Sequence, residues 1–298
     1  MLTFFSTPKP FLGHIGVIQR NALLSWKHIH PQAEVLLFGD EEGTREACSE
    51  LAIGFCPQVE RNPHGTKYLR SIFNQAQQVA RHDLLCYLNC DIILTKDFLI
   101  AAQSVATVAG PFLMAGRRWD VDVKTPLDFS SDRWAADIVQ LAKQTNHQRP
   151  AQWIDYFLFR RGLFGAEIPP FVIGRPGWDN WLLWHALSSS ARLIDASAVV
   201  TAVHQNHDYG YHPDGEKGVW QGEEAQSNYA LLENHRKFAT LDDATHVLGP
   251  DGARPNRRRH VVRVKRSVAR ARDKVWFGLL NLTRPIRHRL GIKQKVNS

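Results

Sequence analysis

The sequence predicts an α/β protein built on a mostly parallel sheet flanked by helices. Short apolar runs alternate with helical patterns over the first ~95 residues, which is the order of βαβ units. The 298-residue chain is long enough to bury a sizeable core, and its 44% apolar and 22% charged residues are ordinary for a globular protein. The C-terminus differs from this body and predicts a basic amphipathic helical tail.

The first half gives a regular alternation. Apolar runs predict strands at 2–6, 34–38, 53–56 and 84–89. Helical spacing predicts helices at 16–28, 44–51 and 67–80, and the last of these has Leu69, Ile72, Phe73 and Ala76 near one face. Strands and helices that alternate in this way favour parallel pairing.

The second half is less regular. Strands are expected at 111–116, at 155–159 and within 192–202, and helices at 132–144 and 178–188. The Gly-, His- and aromatic-rich stretch 208–222 is typical of a long functional loop, and 249–256 of a linker. Two parts are therefore predicted, a domain over 1–250 and a tail over 251–298.

Charge separates the tail from the body. From Arg254 onward there are 15 Lys and Arg and one acidic residue, Asp273, whereas the preceding residues hold 22 basic and 28 acidic side chains. Apolar residues, including Trp276 and Phe277, lie between the basic ones. This pattern favours a helix on an anionic membrane surface, through about 254–295, over a disordered tail or a nucleic-acid contact.

The four cysteines contain no C-x-x-C pair, and Cys86 and Cys90 fall in or beside an apolar strand. Buried free thiols in a reducing compartment are expected. The N-terminus has no basic, apolar leader pattern, and no apolar run of about 18 residues occurs. We therefore expect a cytoplasmic protein that contacts the inner membrane face peripherally.

The segment Leu84–Leu94 carries the strongest chemical signal. An apolar run ends in Asn89-Cys90-Asp91, and a second apolar run follows. The carboxyl end of a buried strand is where open α/β sheets bind ligands, and an Asp there can hold a hard divalent cation against a diphosphate. A strand followed by a polar turn is the alternative.

Other polar residues also sit at predicted strand ends or turns. Asp40 follows the second strand, where an acid can contact a ribose or a base, although a simple turn is the alternative. Arg117, Trp119 and Asp120 follow an apolar run, and the Arg117-Arg118 pair can hold phosphates or form a solvated turn.

Three further side chains could take part in chemistry. Asp155 begins a strand, and Asp179 enters a helix between Trp178 and Trp181. Asp179 is therefore either a general base or a first-turn acid with a structural role. His204 closes a strand and could complete a metal shell, contact phosphate or be structural. The chain has no G-x-G-x-x-G after the first strand, no P-loop and no H-E-x-x-H.

These motifs in this order resemble a GT-A-fold (Rossmann-like) nucleotide-diphospho-sugar glycosyltransferase of the bacterial family 2-like type, over roughly residues 1–250. The resemblance rests on the following segments: Phe38-Gly39-Asp40-Glu41, Tyr87-Leu88-Asn89-Cys90-Asp91, Trp119-Asp120, Asp155-Tyr156-Phe157, Gly177-Trp178-Asp179 and Val203-His204-Gln205-Asn206.

The resemblance implies roles for these positions. In that fold a D-x-D motif holds Mn²⁺ or Mg²⁺; here Asn89 replaces its first Asp, and Asp91 matches the second. By the same resemblance Asp91 and His204 contact the metal, and Asp179 and Asp155 are catalytic. The expected nucleotide-sugar contacts are Thr7, Lys9, Asp40, Asn89, Arg117, Trp119, Asp120 and Trp178.

The implied activity is transfer of a sugar from a nucleotide donor, with UDP preferred, to a glycan or lipid-linked acceptor. Two alternatives remain open. A sugar nucleotidyltransferase would prefer a Gly-rich phosphate loop after the first strand, and Thr7-Pro8-Lys9-Pro10 is not one. A non-catalytic glycan- or nucleic-acid-binding protein fits the nine Trp and the basic tail. The strand-end carboxylates argue against this non-catalytic alternative, because unpaired acids clustered in a cleft are costly without a cation.

Overall fold

The computed structural model describes residues 1–210, 213–259 and 261. Residues 1–256 form one compact unit. The strands are β1 Leu2–Ser6, β2 Glu34–Phe38, β3 Gly54–Cys56, β4 Leu84–Leu88, β5 Ile92–Ile93, β6 Phe112–Ala115, β7 Arg118–Val121, β8 Tyr156–Arg160, β9 Arg192–Asp195, β10 Ala202–Gln205, β11 His246–Gly249 and β12 Gly252–Pro255. The helices are α1 Gly13–Ile29, α2 Thr44–Glu50, α3 Leu69–Val79, α4 Lys96–Ala106, α5 Trp134–Thr145, α6 Trp178–Ser188, α7 Gly215–Gln221 and α8 Glu223–Leu231.

The central sheet has nine strands in the order β12-β11-β9-β6-β8-β4-β1-β2-β3. The pairs β1–β2, β2–β3, β1–β4, β6–β9 and β9–β11 are parallel. Strand β8 is inserted antiparallel between β4 and β6, and β11–β12 is an antiparallel hairpin at the edge. The predicted mostly parallel α/β fold is confirmed.

Alternation along β1 shows how the sheet builds a core on each face. Phe4 packs against Trp26 of α1 and Phe98 of α4. The next residue, Phe5, points to the opposite face and packs against Phe73 of α3. Because both faces are covered, the strand is fully buried and its residues form a continuous apolar run.

A second sheet of three strands, in the order β5-β10-β7, lies after the carboxyl end of β4. Strand β10 is parallel to β7, with His204 in register with Asp120, and antiparallel to β5. This small sheet carries His204 and Asp120, two side chains of the site described below.

Two predictions for the second half were wrong. The stretch 208–222 contains helix α7 as well as loop, and 249–256 forms most of the β11–β12 hairpin rather than a linker. The compact unit ends at Asn256. Most of the predicted tail, 260 and 262–298, lies outside the described residues.

All four cysteines are free thiols in the structure; Cys48, Cys86 and Cys90 are buried, and Cys56 is partly buried. Among the described residues, no helix combines the length and apolar character needed to cross a membrane.

Candidate functional site

A cleft of about 940 Å³ opens at the carboxyl end of the parallel strands. The loops after β1 and β4 contribute to its wall. Strand β8 contributes its N-terminal end, because it runs antiparallel to β4. Eight of the residues expected from the sequence line this cleft: Thr7, Lys9, Asn89, Asp91, Asp155, Trp178, Asp179 and His204.

Asp91, His204 and His207 bring one carboxylate and two imidazoles together, with potential ligand atoms all within 4.8 Å of one another. Nε2 of His207 lies 3.3 Å and Nε2 of His204 lies 3.9 Å from Oδ2 of Asp91. The other oxygen, Oδ1, is buried and has no hydrogen-bond partner among the described residues. Burial acts to raise the pKa of Asp91, but the neighbouring histidines and Lys9 outweigh it and hold the pKa well below its usual range.

Each imidazole has an oxygen beside its other nitrogen. Nδ1 of His204 lies 3.4 Å from Oδ1 of Asp120, and Nδ1 of His207 lies 2.6 Å from the carbonyl oxygen of Asp208. Both oxygens can accept from a protonated Nδ1, so each ring can keep its proton on Nδ1 when its Nε2 binds a cation.

Lys9 adds a positive charge to the same corner. Its Nζ lies 3.0 Å from Nε2 of His207 and 3.9 Å from Oδ2 of Asp91. Burial lowers the pKa of Lys9, and the charge of Asp91 opposes that effect. The loop is held by Gln19, which accepts from the Lys9 amide and donates to its carbonyl. This corner of the cleft therefore presents cationic and imidazole groups suited to a phosphate ligand.

Asn89 and Asp155 form a tight pair beside this cluster. Asn89 donates its side-chain amide to Oδ1 of Asp155 at 2.6 Å and its backbone N–H to the Asp155 carbonyl at 3.0 Å. The second oxygen of Asp155 accepts from Arg118 at 2.7 Å. Arg118 also donates to Asp120 at 2.9 Å. The network links Asn89 to Asp120, and through Asp120 to His204.

Asp179 lies in the first turn of α6. Its N-cap, Gly177, has φ 100°, and a Cβ there would come within 3.0 Å of Leu232, so both backbone and space favour glycine. Oδ1 of Asp179 is buried without a hydrogen-bond partner among the described residues. Burial raises the pKa of Asp179 to about 7, the charge of Asp155 acts in the same direction, and backbone N–H groups at the helix start oppose both. The result is a carboxyl group that titrates near neutrality.

Glu41, rather than Asp40, is the acid after β2 that faces the cleft. Asp40 does not line it, is 62% exposed as a side chain, and pairs with Arg61 at 2.6 Å. Glu41 lines the cleft, pairs with the buried Lys67 at 2.6 Å, and has a buried Oε2 without a partner in the described part of the chain.

Arg117, Trp119 and Asp120 do not line the cleft, whereas Arg118 does. Alternation along β7 explains why Trp119 differs from Arg118, because successive side chains point to opposite faces, whereas Asp120 shares the face of Arg118 and is held behind it. Trp119 packs against the small core of Ile93, Val121 and Val203. Asp120 supports the site indirectly, through His204 and Arg118.

Three cleft residues, His207, Arg118 and Glu41, were not among the residues assigned to the site from the sequence, although the Arg117-Arg118 pair was considered for phosphate. Each lies within three residues of a predicted site residue, so the predicted segments reach the cleft through other side chains than some of those predicted. For His207 a signal was available in His204-Gln205-Asn206-His207, two imidazoles three residues apart at the end of a strand.

No protein-family model matches the chain, and no curated protein matches it. Among solved structures it is similar to Staphylococcus aureus TarS 1–349, with 12% identity, a TM-score of 0.45, and coverage of 68% of this chain and 60% of TarS 1–349. It is also similar to a Pyrobaculum calidifontis mannosyltransferase in complex with GDP-Man and Mn²⁺, with 17% identity, a TM-score of 0.44, and coverage of 71% and 58%.

A third similar structure is Mycobacterium tuberculosis glucosyl-3-phosphoglycerate synthase in complex with Mg²⁺ and UDP, with 12% identity, a TM-score of 0.47, and coverage of 86% of each chain. The matches span about 60% of the length of the first two structures. All three TM-scores lie below 0.5, so the function of this chain has to be inferred from its own residues.

Proposed function

We propose that this protein is a nucleotide-sugar glycosyltransferase that moves a sugar from a nucleoside diphosphate donor to an acceptor hydroxyl. The observation that carries the proposal is a group of potential cation ligands, Asp91, His204 and His207, in the same cleft as Asp179, whose Oδ1 is buried without a hydrogen-bond partner among the described residues. The surroundings lower the pKa of Asp91 and raise the pKa of Asp179, so the two carboxyl groups are suited to different tasks in one reaction.

The triad fits a divalent cation. It offers one carboxylate oxygen and two imidazole nitrogens as ligands, and the partnerless Oδ1 of Asp91 is a buried polar atom that a cation would satisfy. Mn²⁺ or Mg²⁺ held there would act as a Lewis acid and neutralise charge on the leaving diphosphate. Lys9, on the same side of Asp91, supplies a further positive charge.

Asp179 is proposed as the general base. As the acceptor oxygen bonds to the anomeric carbon, the bond from that carbon to the diphosphate oxygen breaks, and the hydroxyl proton passes to the Asp179 carboxylate. A pKa of about 7 suits this step, because much of the group is ionised at neutral pH while it remains basic enough to take the proton. This assignment corresponds to an inverting displacement.

Asp155 suits a contact to the donor sugar better than a second base. Both of its oxygens already accept hydrogen bonds, one from Asn89 and one from Arg118. These two bonds hold the Asp155 side chain in place as an acceptor. For the nucleoside we propose Glu41, whose partnerless Oε2 can accept from a ribose hydroxyl or a base N–H.

The basic tail is proposed to dock the protein on an anionic membrane where lipid-linked acceptors reside. Its composition supports this idea, with 15 Lys and Arg after residue 253. Truncation after Asn256 leaves the compact unit whole. Loss of binding to phosphatidylserine vesicles is expected, and unchanged vesicle binding by the truncated form would refute docking.

The proposed activity is tested first by ligand-dependent thermal stability. UDP, GDP, CMP and dTDP are each added with and without Mn²⁺, and a ligand that binds the folded state raises the melting temperature. One nucleotide with a Mn²⁺-dependent shift identifies the donor class. That nucleotide's sugars are then assayed for nucleotide release and for transfer to glycan and lipid-linked acceptors.

Asp91→Asn is the matched test of the site, with Asp83→Asn as its control. Asp83 precedes β4 at the opposite end of the strand, is 88% exposed as a side chain and pairs with Arg161. We expect Asp91→Asn to abolish the Mn²⁺-dependent shift and turnover, and Asp83→Asn to retain both. Equal behaviour of the two variants, or no shift with any nucleotide, would contradict the proposal.

A further inference from the structure

Asn89 stands two residues before Asp91, but its side chain is already hydrogen-bonded to Asp155 and lies beside Tyr87. The amide nitrogen of Asn89 donates to Oδ1 of Asp155, and its Oδ1 lies 3.5 Å from the Tyr87 hydroxyl. The backbone N–H of Asn89 donates to the Asp155 carbonyl, which fixes the pair at two points.

His207 supplies the third ligand instead. Its Nε2 lies 3.3 Å from Oδ2 of Asp91, closer than the 3.9 Å of His204 Nε2. The Asp208 carbonyl and the Asp120 carboxylate lie beside the two Nδ1 atoms, so each ring can keep its proton there while its Nε2 binds the cation. The ligand set is therefore one oxygen and two nitrogens, drawn from the loop after β4, from β10 and from the residues just after it.

We propose that this chain uses Asp91, His204 and His207 as its cation ligands, with selectivity for Mn²⁺ over Mg²⁺, and that Asn89 is a positioning residue for Asp155. This inference rests on the proposed function and specifies how its cation is held.

Two physical reasons support the assignment. Imidazole nitrogen is a better ligand for transition-metal ions than for Mg²⁺, which prefers oxygen ligands. A site with two imidazoles therefore favours Mn²⁺ over Mg²⁺. At position 89 a neutral hydrogen-bond donor suits the carboxylate of Asp155. An Asp side chain in the same place would put a second carboxylate 2.6 Å from that of Asp155, and the two like charges would repel.

The measurement is binding of Mn²⁺ alone to the full chain, by electron paramagnetic resonance of free Mn²⁺, with Mg²⁺ added as competitor. We expect Mn²⁺ to bind at least about tenfold tighter than Mg²⁺. His207→Ala is expected to weaken Mn²⁺ at least about tenfold and to remove the preference over Mg²⁺. Asn89→Ala is expected to leave Mn²⁺ affinity nearly unchanged.

Asn89→Asp is the most discriminating variant, because it restores a two-acid motif. We expect no gain in Mn²⁺ or Mg²⁺ affinity and a lower melting temperature without metal, while Asn89→Ser, which keeps a small polar neutral group, stays closer to wild type. Circular dichroism confirms that each variant is folded. Tighter binding in Asn89→Asp, or a loss in Asn89→Ala equal to that in His207→Ala, overturns the inference.

The outcomes also separate this inference from the proposed function. Sugar transfer that persists in excess EDTA, with no Mn²⁺ binding, overturns the ligand assignment and leaves the transferase standing. Selective Mn²⁺ binding without any transfer supports the ligand assignment and counts against the transferase.

Discussion

Replacing Asp179 with asparagine tests the proposed base through stability as well as through turnover. Burial raises the pKa of Asp179 from its ordinary value of 3.8 to about 7 in the folded protein. In the pH range between these values the folded state holds a proton that the unfolded state has released. The free energy of unfolding must therefore fall as pH rises toward 7, and level off above it.

The magnitude follows from linkage. Between pH 5 and pH 8 the Asp179 contribution to the free energy of unfolding falls by roughly 2 to 3 kcal/mol for a pKa of about 7. This figure is an upper bound, because Asp179 keeps partial contact with solvent in the cleft. The amide of the Asp179→Asn variant does not titrate, so the stability advantage of this variant over wild type should grow across the same range.

The assay is urea unfolding of wild type and Asp179→Asn at each pH unit from 5 to 8, in EDTA, with Asp83→Asn as the exposed control. In parallel, the wild-type rate should rise about tenfold per pH unit below 7 and then plateau, since the base must be ionised. Asp179→Asn should lose at least about 100-fold in turnover. A stability difference that is flat with pH, or that shrinks toward pH 8, would refute the reasoning.

Three further predictions address the surroundings of the site. Asp120→Asn should weaken Mn²⁺ binding by roughly 10- to 100-fold in the electron paramagnetic resonance titration, because Asp120 orients His204. The control variant Asp128→Asn, at an exposed position, should leave Mn²⁺ binding unchanged. Glu224→Ala should lower the free energy of unfolding by about 3 kcal/mol in urea titrations, because it leaves the largely buried Arg175, 2.5 Å away, without its partner. If the double variant with Arg175→Met loses as much stability as Glu224→Ala alone, this explanation is contradicted. Glu41→Gln should weaken nucleotide binding in calorimetry while Asp40→Asn has little effect, and the reverse order would return the nucleoside role to Asp40.

Elements with a clear local period were predictable because their signal lies in neighbouring residues. Strand β1 and strand β2 were predicted at their observed bounds, since both faces of each are buried and the apolar runs are continuous. Helix α6 was also predicted at its observed bounds. Helix α7 was missed because its Gly- and Lys-containing sequence has little apolar pattern, and it buries only Gly218 and Val219.

The β11–β12 hairpin was missed for a different reason. Its Gly- and Pro-rich sequence is typical of a linker, but Leu248 is buried and β11 pairs with β9. Such a segment becomes a strand only because a parallel edge is available from residues more than 50 positions earlier. Local composition carries no information about that partner.

The sequence by itself determined the α/β architecture and the positions of Asp91, Asp155, Asp179 and His204 at strand ends or helix starts. These follow from apolar periods and from the rule that ligands gather at the carboxyl edge of the sheet. Only the tertiary structure decided which neighbouring side chain faces the cleft, Glu41 rather than Asp40 and Arg118 rather than Arg117. It also decided that His207 lies beside Asp91, and that Asn89 donates to Asp155. A shift of one residue reverses the face of a strand, and strand pairing brings together residues distant in the chain, so these choices depend on the assembled sheet.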